Sequence, residues 1–190
     1  MGDSISAAYG IEAEQGWVQL LADRLQDVGV DVSVVNASVS GETTGGGVVR
    51  LPGSLERHAP DVVIIELGGN DGLRGYPIAR IRDNLTRMVS MAREAGADVL
   101  LLGMFVPPNY GARYMNGFHE NYHRIAAEAG VELVPFLLEG VATDAALMQD
   151  DGIHPTAEAQ PLLLDNVWPT LAPLLGVDTT AASTTLAAEG

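Results

Sequence analysis

Apolar and polar positions alternate along the chain in two rhythms. Four stretches run almost unbroken with aliphatic, often β-branched residues: DVSVVNA (31–37), DVVIIEL (61–67), DVLLLGM (98–104) and VELVPF (131–136). Runs this continuous suit strands of a parallel sheet covered on both faces. Between them, apolar positions recur at helical spacing. Trp17, Leu20, Leu21, Ala22, Leu25 and Val28 mark one helix that stops at Gly29, and Ile78, Ile81, Leu85, Val89 and Ala92 mark another that stops near Gly96. Glycine just past the last periodic residue is a common helix stop. A further helix is expected over about 114–129, ending at Gly130, and a last one over about 156–174.

Strand and helix in alternation predict βαβ units and a doubly wound α/β fold. Ligands in such sheets bind at the carboxyl ends of the strands, where the strand-to-helix loops gather. Those loops are NASVSGETTGGG (36–47), GGNDGLRGYP (68–77) and FVPPNYGARY (105–114). They are rich in Gly, Asn, Ser and Pro, as suits loops that bring backbone close to a ligand. Neither an internal repeat nor an interdomain linker interrupts the pattern, so residues 1–175 are expected to form one domain. The last stretch, GVDTTAASTTLAAEG (176–190), has little apolar periodicity and reads as a flexible tail.

Composition narrows the function classes. A chain of 190 residues with 47% apolar content can bury a core of its own and is not a disordered polymer. Twenty-five acidic residues face ten arginines and no lysine, a net charge of −15. Partners held by basic patches, nucleic acid and anionic membranes above all, are not expected. The chain has no cysteine, which excludes disulfides, thiol catalysis and thiolate metal sites. That composition fits a cytoplasmic and an exported protein equally. No apolar run approaches a membrane span, and any signal peptide would lie ahead of the residues given.

Candidate chemistry sits in the loops. DDGIHPTAEAQ (150–160) places Asp151 three residues before His154, with Pro155 opening a helix. A carboxylate this close on one loop can fix the imidazole tautomer and stabilise the imidazolium of a general base. Without cysteine, the natural nucleophile for such a base is a serine, and MGDSISAAYG offers Ser4. Acyl transfer also needs donors aimed at the developing oxyanion. Gly41 offers an unobstructed N–H, and Asn70 a side-chain amide at the end of an apolar strand. Both follow strands whose carboxyl ends should share one edge with Ser4 and His154.

Together, Gly2-Asp3-Ser4-Ile5-Ser6, Gly41 after VNASVS, ELGGNDGLRG around Asn70 and QDDGIHP around Asp151 and His154 resemble the four sequence blocks of the SGNH (GDSL) hydrolases. The wording is closest to the branch of bacterial thioesterases, lysophospholipases and arylesterases, and the likeness runs from Gly2 to about Trp168. The resemblance implies a three-layer αβα, flavodoxin-like fold. It implies a serine esterase or thioesterase acting through an acyl-enzyme on short- to medium-chain acyl esters: aryl esters, acyl-CoA thioesters and lysophospholipids. Ser4 would be nucleophile, His154 base and then acid, and Asp151 its orienting group. The Ser4 N–H, the Gly41 N–H and the Asn70 side chain would form the oxyanion hole. Loops 72–77 and 105–114 would line the acyl groove, with Gly72, Leu73, Pro107 and Tyr110 as candidate contacts and Arg74 and Arg113 on its rim. No metal or cofactor is implied. Asp71 and Asp150 read as caps or supporting groups, and His58, His119 and His123 as helix or surface residues.

Two rival readings stay open: a carbohydrate O-deacetylase of the same fold, and an inactive truncated fragment or non-catalytic binding module. The second draws on one departure from the family pattern. The serine of these enzymes ends a central strand, and here that strand would have to be built from Met1 alone. A chain starting at Met1 is therefore expected to be poorly soluble or inactive until residues ahead of it are supplied.

Overall fold

The computed structural model describes residues 1–177. Three short strands, β1 (Val62–Ile65), β2 (Asp98–Leu102) and β3 (Glu132–Val134), pair in parallel in the order β1-β2-β3. In register, Val63 pairs with Val99 and Ile65 with Leu101, while Leu101 pairs with Leu133. Six helices surround them: α1 (Trp17–Asp27), α2 (Thr44–His58), α3 (Gly69–Leu73), α4 (Ile78–Glu94), α5 (Ala112–Ala129) and α6 (Gln160–Leu174). One group packs as α2 on α4 and α4 on α5, the other as α1 on α6, so the sheet lies between two helical layers. The core is the sheet's own aliphatic run, with Leu100, Leu101 and Leu102 fully buried, clamped by Trp17, Leu85, Met88, Phe118 and Leu163. That arrangement is the expected αβα fold.

Three of the four expected strands form, trimmed to the residues that find a paired neighbour. DVSVVNA (31–37) does not form a strand. Among the described residues its backbone makes no ladder; the Val32 N–H, for instance, turns back onto Val30 C=O. A strand exists only beside another at about 4.8 Å. Between residues 31–37 and β1 lies instead a cavity of about 660 Å³, lined by Val32, Val34, Leu55, Val62 and Ile64. At its end, Met1 and Gly2 bridge both walls. The Met1 amino group donates to Ile64 C=O at 3.0 Å, and the Glu66 N–H donates to Met1 C=O at 3.0 Å. On the other side, the Val39 N–H donates to Gly2 C=O at 3.0 Å.

Helix α2 was not expected at all. Its sequence, TGGGVVRLPGSLERH, holds four glycines and Pro52, all poor in helix propensity. Tertiary contacts override that deficit: Thr43 caps the helix through Gly46 N–H, and Leu51 is buried in the core. The expected 156–174 helix opens with a separate 3₁₀ turn at Ala157–Ala159 before α6 begins. Of the expected tail, Gly176 and Val177 are tied back to Pro173 and Ala172 by hydrogen bonds. Residues 178–190 lie outside the described part of the chain.

Candidate active site

The segment after Gly2 is a tight turn. Ala7 N–H bonds to Asp3 C=O, Tyr9 N–H bonds to Ser4 C=O, and Ala8 takes φ 56°, an uncommon left-handed value for a residue with a side chain. Ile5 is buried beneath the turn, so Ser4, its half-buried neighbour, is left facing outward at the sheet's carboxyl edge. The Ser4 N–H and the Gly41 N–H have no hydrogen-bond acceptor among the described residues. Gly41 has φ +80°, and a Cβ there would meet nothing within 4 Å. The position asks for glycine by its backbone conformation, and the lack of neighbours keeps approach to its N–H open.

The loop opposite is shaped by one carboxylate. Asp151 Oδ1 accepts from the N–H groups of Ile153 (2.9 Å) and His154 (3.0 Å), and its Oδ2 sits 2.6 Å from His154 Nδ1. Burial would raise the Asp151 pKa, but the His154 N–H, the His154 ring and the Ile153 N–H overcome it and hold the carboxyl at about 2. With Nδ1–H committed to Asp151, His154 Nε2 is free to accept, and the Ser4 hydroxyl lies 2.8 Å from it. The imidazole side chain is only 14% exposed, whereas Asp151 is 39% exposed. Burial therefore shields the ring more than its carboxylate partner. Gln149 pins this loop to the Ser4 turn by donating to the carbonyls of Tyr9 and Pro155, and the Tyr9 ring lies 4.5 Å from that of His154.

Asn70 lies in the first turn of α3, shortly after β1. Its Nδ2 donates to Asp3 Oδ2 at 3.1 Å, leaving a second N–H unassigned. Asp3 and Glu66 are both buried; Glu66 Oε2 accepts from the Asp3 N–H (3.1 Å) and the Ser6 hydroxyl (2.7 Å), and Ser6 Oγ accepts from Trp17 Nε1 (3.2 Å). Burial and the neighbouring Asp3 carboxylate push Glu66 well above the ordinary carboxyl range. Asp71, expected as a cap, is one: its carboxylate accepts from the Thr44 N–H and hydroxyl, joining α3 to the start of α2.

The candidate groove residues divide. Leu73 and Tyr110 come together, the Tyr110 hydroxyl donating to Leu73 C=O at 2.6 Å, and Tyr114 repeats the contact on Tyr76 C=O at 2.7 Å. Pro107 is exposed at the start of the same loop. Gly72 is buried against Val106 and Phe118, where a Cβ would stand 2.4 Å from Val106 Cγ1; its place is packing beneath the loop rather than at a groove surface. Arg74 reaches Gly41 C=O at 3.5 Å, while Arg113 and Asp150 are exposed. His58 ends α2; His119 and His123 lie one turn apart on α5, His119 stacked on Phe105. Among the described residues, no three His, Asp or Glu side chains come close enough to hold a metal ion, and no helix is long and apolar enough to cross a membrane.

Sequence reasoning missed Glu66, Tyr9 and Gln149 as parts of this site. Glu66 carried a signal, an acid at the end of the apolar run DVVIIEL; the other two carried none, since their contacts join segments 140 residues apart.

A hydroxyl, an imidazole and a carboxylate in hydrogen-bonded line, at the carboxyl edge of a parallel αβα sheet, define the class as a serine hydrolase. The profile of the GDSL-like lipase/acylhydrolase family matches residues 1–161. The chain is 57% identical to esterase TesA of Pseudomonas aeruginosa over 175 residues, covering 92% of this chain and 87% of that one. It is 43% identical to thioesterase 1/protease 1/lysophospholipase L1 of Escherichia coli (strain K12), covering 94% and 84%. The crystal structure of TesA superposes with a TM-score of 0.89 at 57% identity, over 91% of this chain and 96% of that one. The chain belongs to the GDSL-like lipase/acylhydrolase family, the SGNH hydrolases, and is an enzyme of that serine-hydrolase type.

Proposed function

We propose that the enzyme cleaves short- to medium-chain acyl esters and thioesters through a covalent acyl-Ser4 intermediate. The observation that carries this reading is the unbroken relay from Ser4 Oγ to His154 Nε2 (2.8 Å) and from His154 Nδ1 to Asp151 Oδ2 (2.6 Å). Ser4 Oγ attacks the acyl carbon as its proton passes to Nε2, and Asp151, ionised down to about pH 2, stabilises the imidazolium. The tetrahedral oxygen is received by the Ser4 N–H, the Gly41 N–H and the Asn70 amide. Collapse expels the alcohol or thiol, which takes the proton from His154. Water then attacks acyl-Ser4 with His154 again as base, and the free acid leaves.

The acyl chain lies along the surface carrying Leu73, Pro107 and Tyr110, where the tyrosine-to-carbonyl bonds hold loops 72–77 and 105–114 side by side. The names esterase TesA and thioesterase 1/lysophospholipase L1 borne by two relatives support ester, thioester and lysophospholipid substrates alike. Residues 1–175 act as one catalytic domain in this reading. Initial rates on p-nitrophenyl and coenzyme A acyl series, from acetyl to palmitoyl, test it. Both series should be hydrolysed, and Ser4→Ala should lower kcat by about 10³-fold or more. Undiminished turnover in Ser4→Ala would contradict it.

A further inference from the structure

We propose that Asp3 is a positioning residue of the oxyanion site, holding the Asn70 amide, and that Glu66 holds Asp3 in turn. The proposal rests on the reading of Asn70 as an oxyanion donor. Asp3 is 3% exposed and gives each carboxylate oxygen a separate task. Oδ1 accepts from the Ile5 N–H at 3.1 Å, which shapes the nucleophile turn, and Oδ2 accepts from Asn70 Nδ2 at 3.1 Å. An amide group is planar, so fixing one Nδ2 N–H fixes the direction of the other. That other N–H is the one available to substrate.

Glu66, 1% exposed, sits directly behind. Its Oε2 is occupied by two donors, the Asp3 N–H and the Ser6 hydroxyl. Its Oε1 is buried and has no hydrogen-bond partner among the described residues. Burial and like charge both disfavour ionising the two carboxyls together. Burial raises both, and the Asp3 charge raises Glu66 further, whereas the Ile5 N–H opposes the rise on Asp3. An ionised Asp3 carboxylate makes the 3.1 Å bond from Asn70 charge-assisted, stronger and more directional than a neutral one. Other charged and titratable groups facing the pair are the Met1 amino group and His154, with Tyr122 behind Glu66.

A carboxylate is required at residue 3 because both neighbours are donors. A carboxamide has one acceptor oxygen and can satisfy Ile5 or Asn70, not both. A serine keeps the turn bond to Ile5 but is too short to reach Asn70. Asp3→Asn and Asp3→Ser are therefore made in the wild-type and in the Asn70→Ala backgrounds, and p-nitrophenyl ester hydrolysis is measured. In the wild-type background kcat should fall about 10- to 100-fold with KM within about threefold, the signature of a contact realised in the transition state. In the Asn70→Ala background the same substitutions should cost less than about threefold, because the amide they serve is gone. Full additivity in both backgrounds, or unchanged kcat, would overturn the proposal.

Glu66→Met, which cannot accept from the Asp3 N–H and the Ser6 hydroxyl, should lower kcat in the same non-additive way, and Glu66→Gln, whose amide oxygen can, should restore it. A Glu66→Gln enzyme as impaired as Glu66→Met overturns the Glu66 half. Failure of both Asp3 variants to fold, read by thermal melting, would mark Asp3 as a determinant of the turn and reject the positioning role. Activity that survives Ser4→Ala would remove the reading of the site itself, an outcome separate from all of these.

Discussion

Ser4 becomes usable because two carboxylates at different depths organise its neighbours. Asp151, near the surface, shapes the histidine loop with one oxygen and aims the imidazole with the other. Asp3, buried, does the same for the nucleophile turn and the Asn70 amide. The Asp151 charge has a pH signature. Its carboxyl is depressed to about 2 from an ordinary 3.8, so its contribution to folding is fully present above about pH 4 and is lost as pH falls through about 2. At 39% exposure the contribution is screened and small, about 1 kcal/mol at most. Thermal melting of Asp151→Asn against wild type should give a deficit of about 2–4 °C at pH 6 that shrinks toward zero near pH 2; a gap that widens in acid would contradict the assignment. At this scale the candidates Ser4, Asp151, His154, Gly41 and Asn70 stand out in sequence because each sits in a short Gly- or Asp-bearing stretch, and the structure brings Ser4, His154 and Asp151 into hydrogen-bonded line. Asp3 and Glu66 are legible only as letters. Their pairing spans 63 residues and depends on β1 arriving beside the nucleophile turn.

Among elements, helices α1, α4 and α5 are legible because one amphipathic face and a glycine stop define each of them. The composition of α2 hides it, since its stability comes from Thr43, from Thr44 on Asp71 and from Leu51 in the core. Residues 31–37 read as a strand for a sound reason: their apolar pattern suits a buried one, and Val35 is nonetheless 49% exposed. What they lack is a paired neighbour across the cavity. Asp61 C=O accepts from Asp98 N–H in β2, so by alternation Val62 and Ile64 turn their backbone groups toward that cavity. An extended aliphatic segment joined ahead of Met1 should enter it as a strand parallel to β1. Each buried aliphatic side chain adds about 1.5–3 kcal/mol, so the melting temperature should rise by about 5 °C or more. A Gly/Ser segment of equal length should give no rise. Equal melting for the two extensions would show that the cavity accepts no strand.

Over the whole molecule the charge of −15 is the dominant long-range property. A surface this acidic repels anionic substrates at a distance and is indifferent to neutral ones, with a screening length of about 10 Å at 0.1 M salt. Raising ionic strength from about 20 mM to about 200 mM should therefore lower KM for acyl-CoA thioesters, severalfold, and leave KM for p-nitrophenyl esters within about 1.5-fold. A parallel response of both substrates would point to a general effect of salt on the enzyme rather than on encounter. The doubly wound α/β class was readable at this scale from the alternation of elements, and its three αβα layers from the family resemblance. The common edge on which the loops gather was readable from the strand-to-loop order, whereas the role of each loop residue came from the family resemblance.

The central claim is that Ser4 is the nucleophile. Incubation with a fluorophosphonate probe, followed by peptide mass spectrometry, tests it most directly. The account predicts one adduct, on the peptide that contains Ser4, formed at a rate that falls at least about 10²-fold in His154→Ala and absent in Ser4→Ala. Labelling that persists unchanged in folded Ser4→Ala would contradict it.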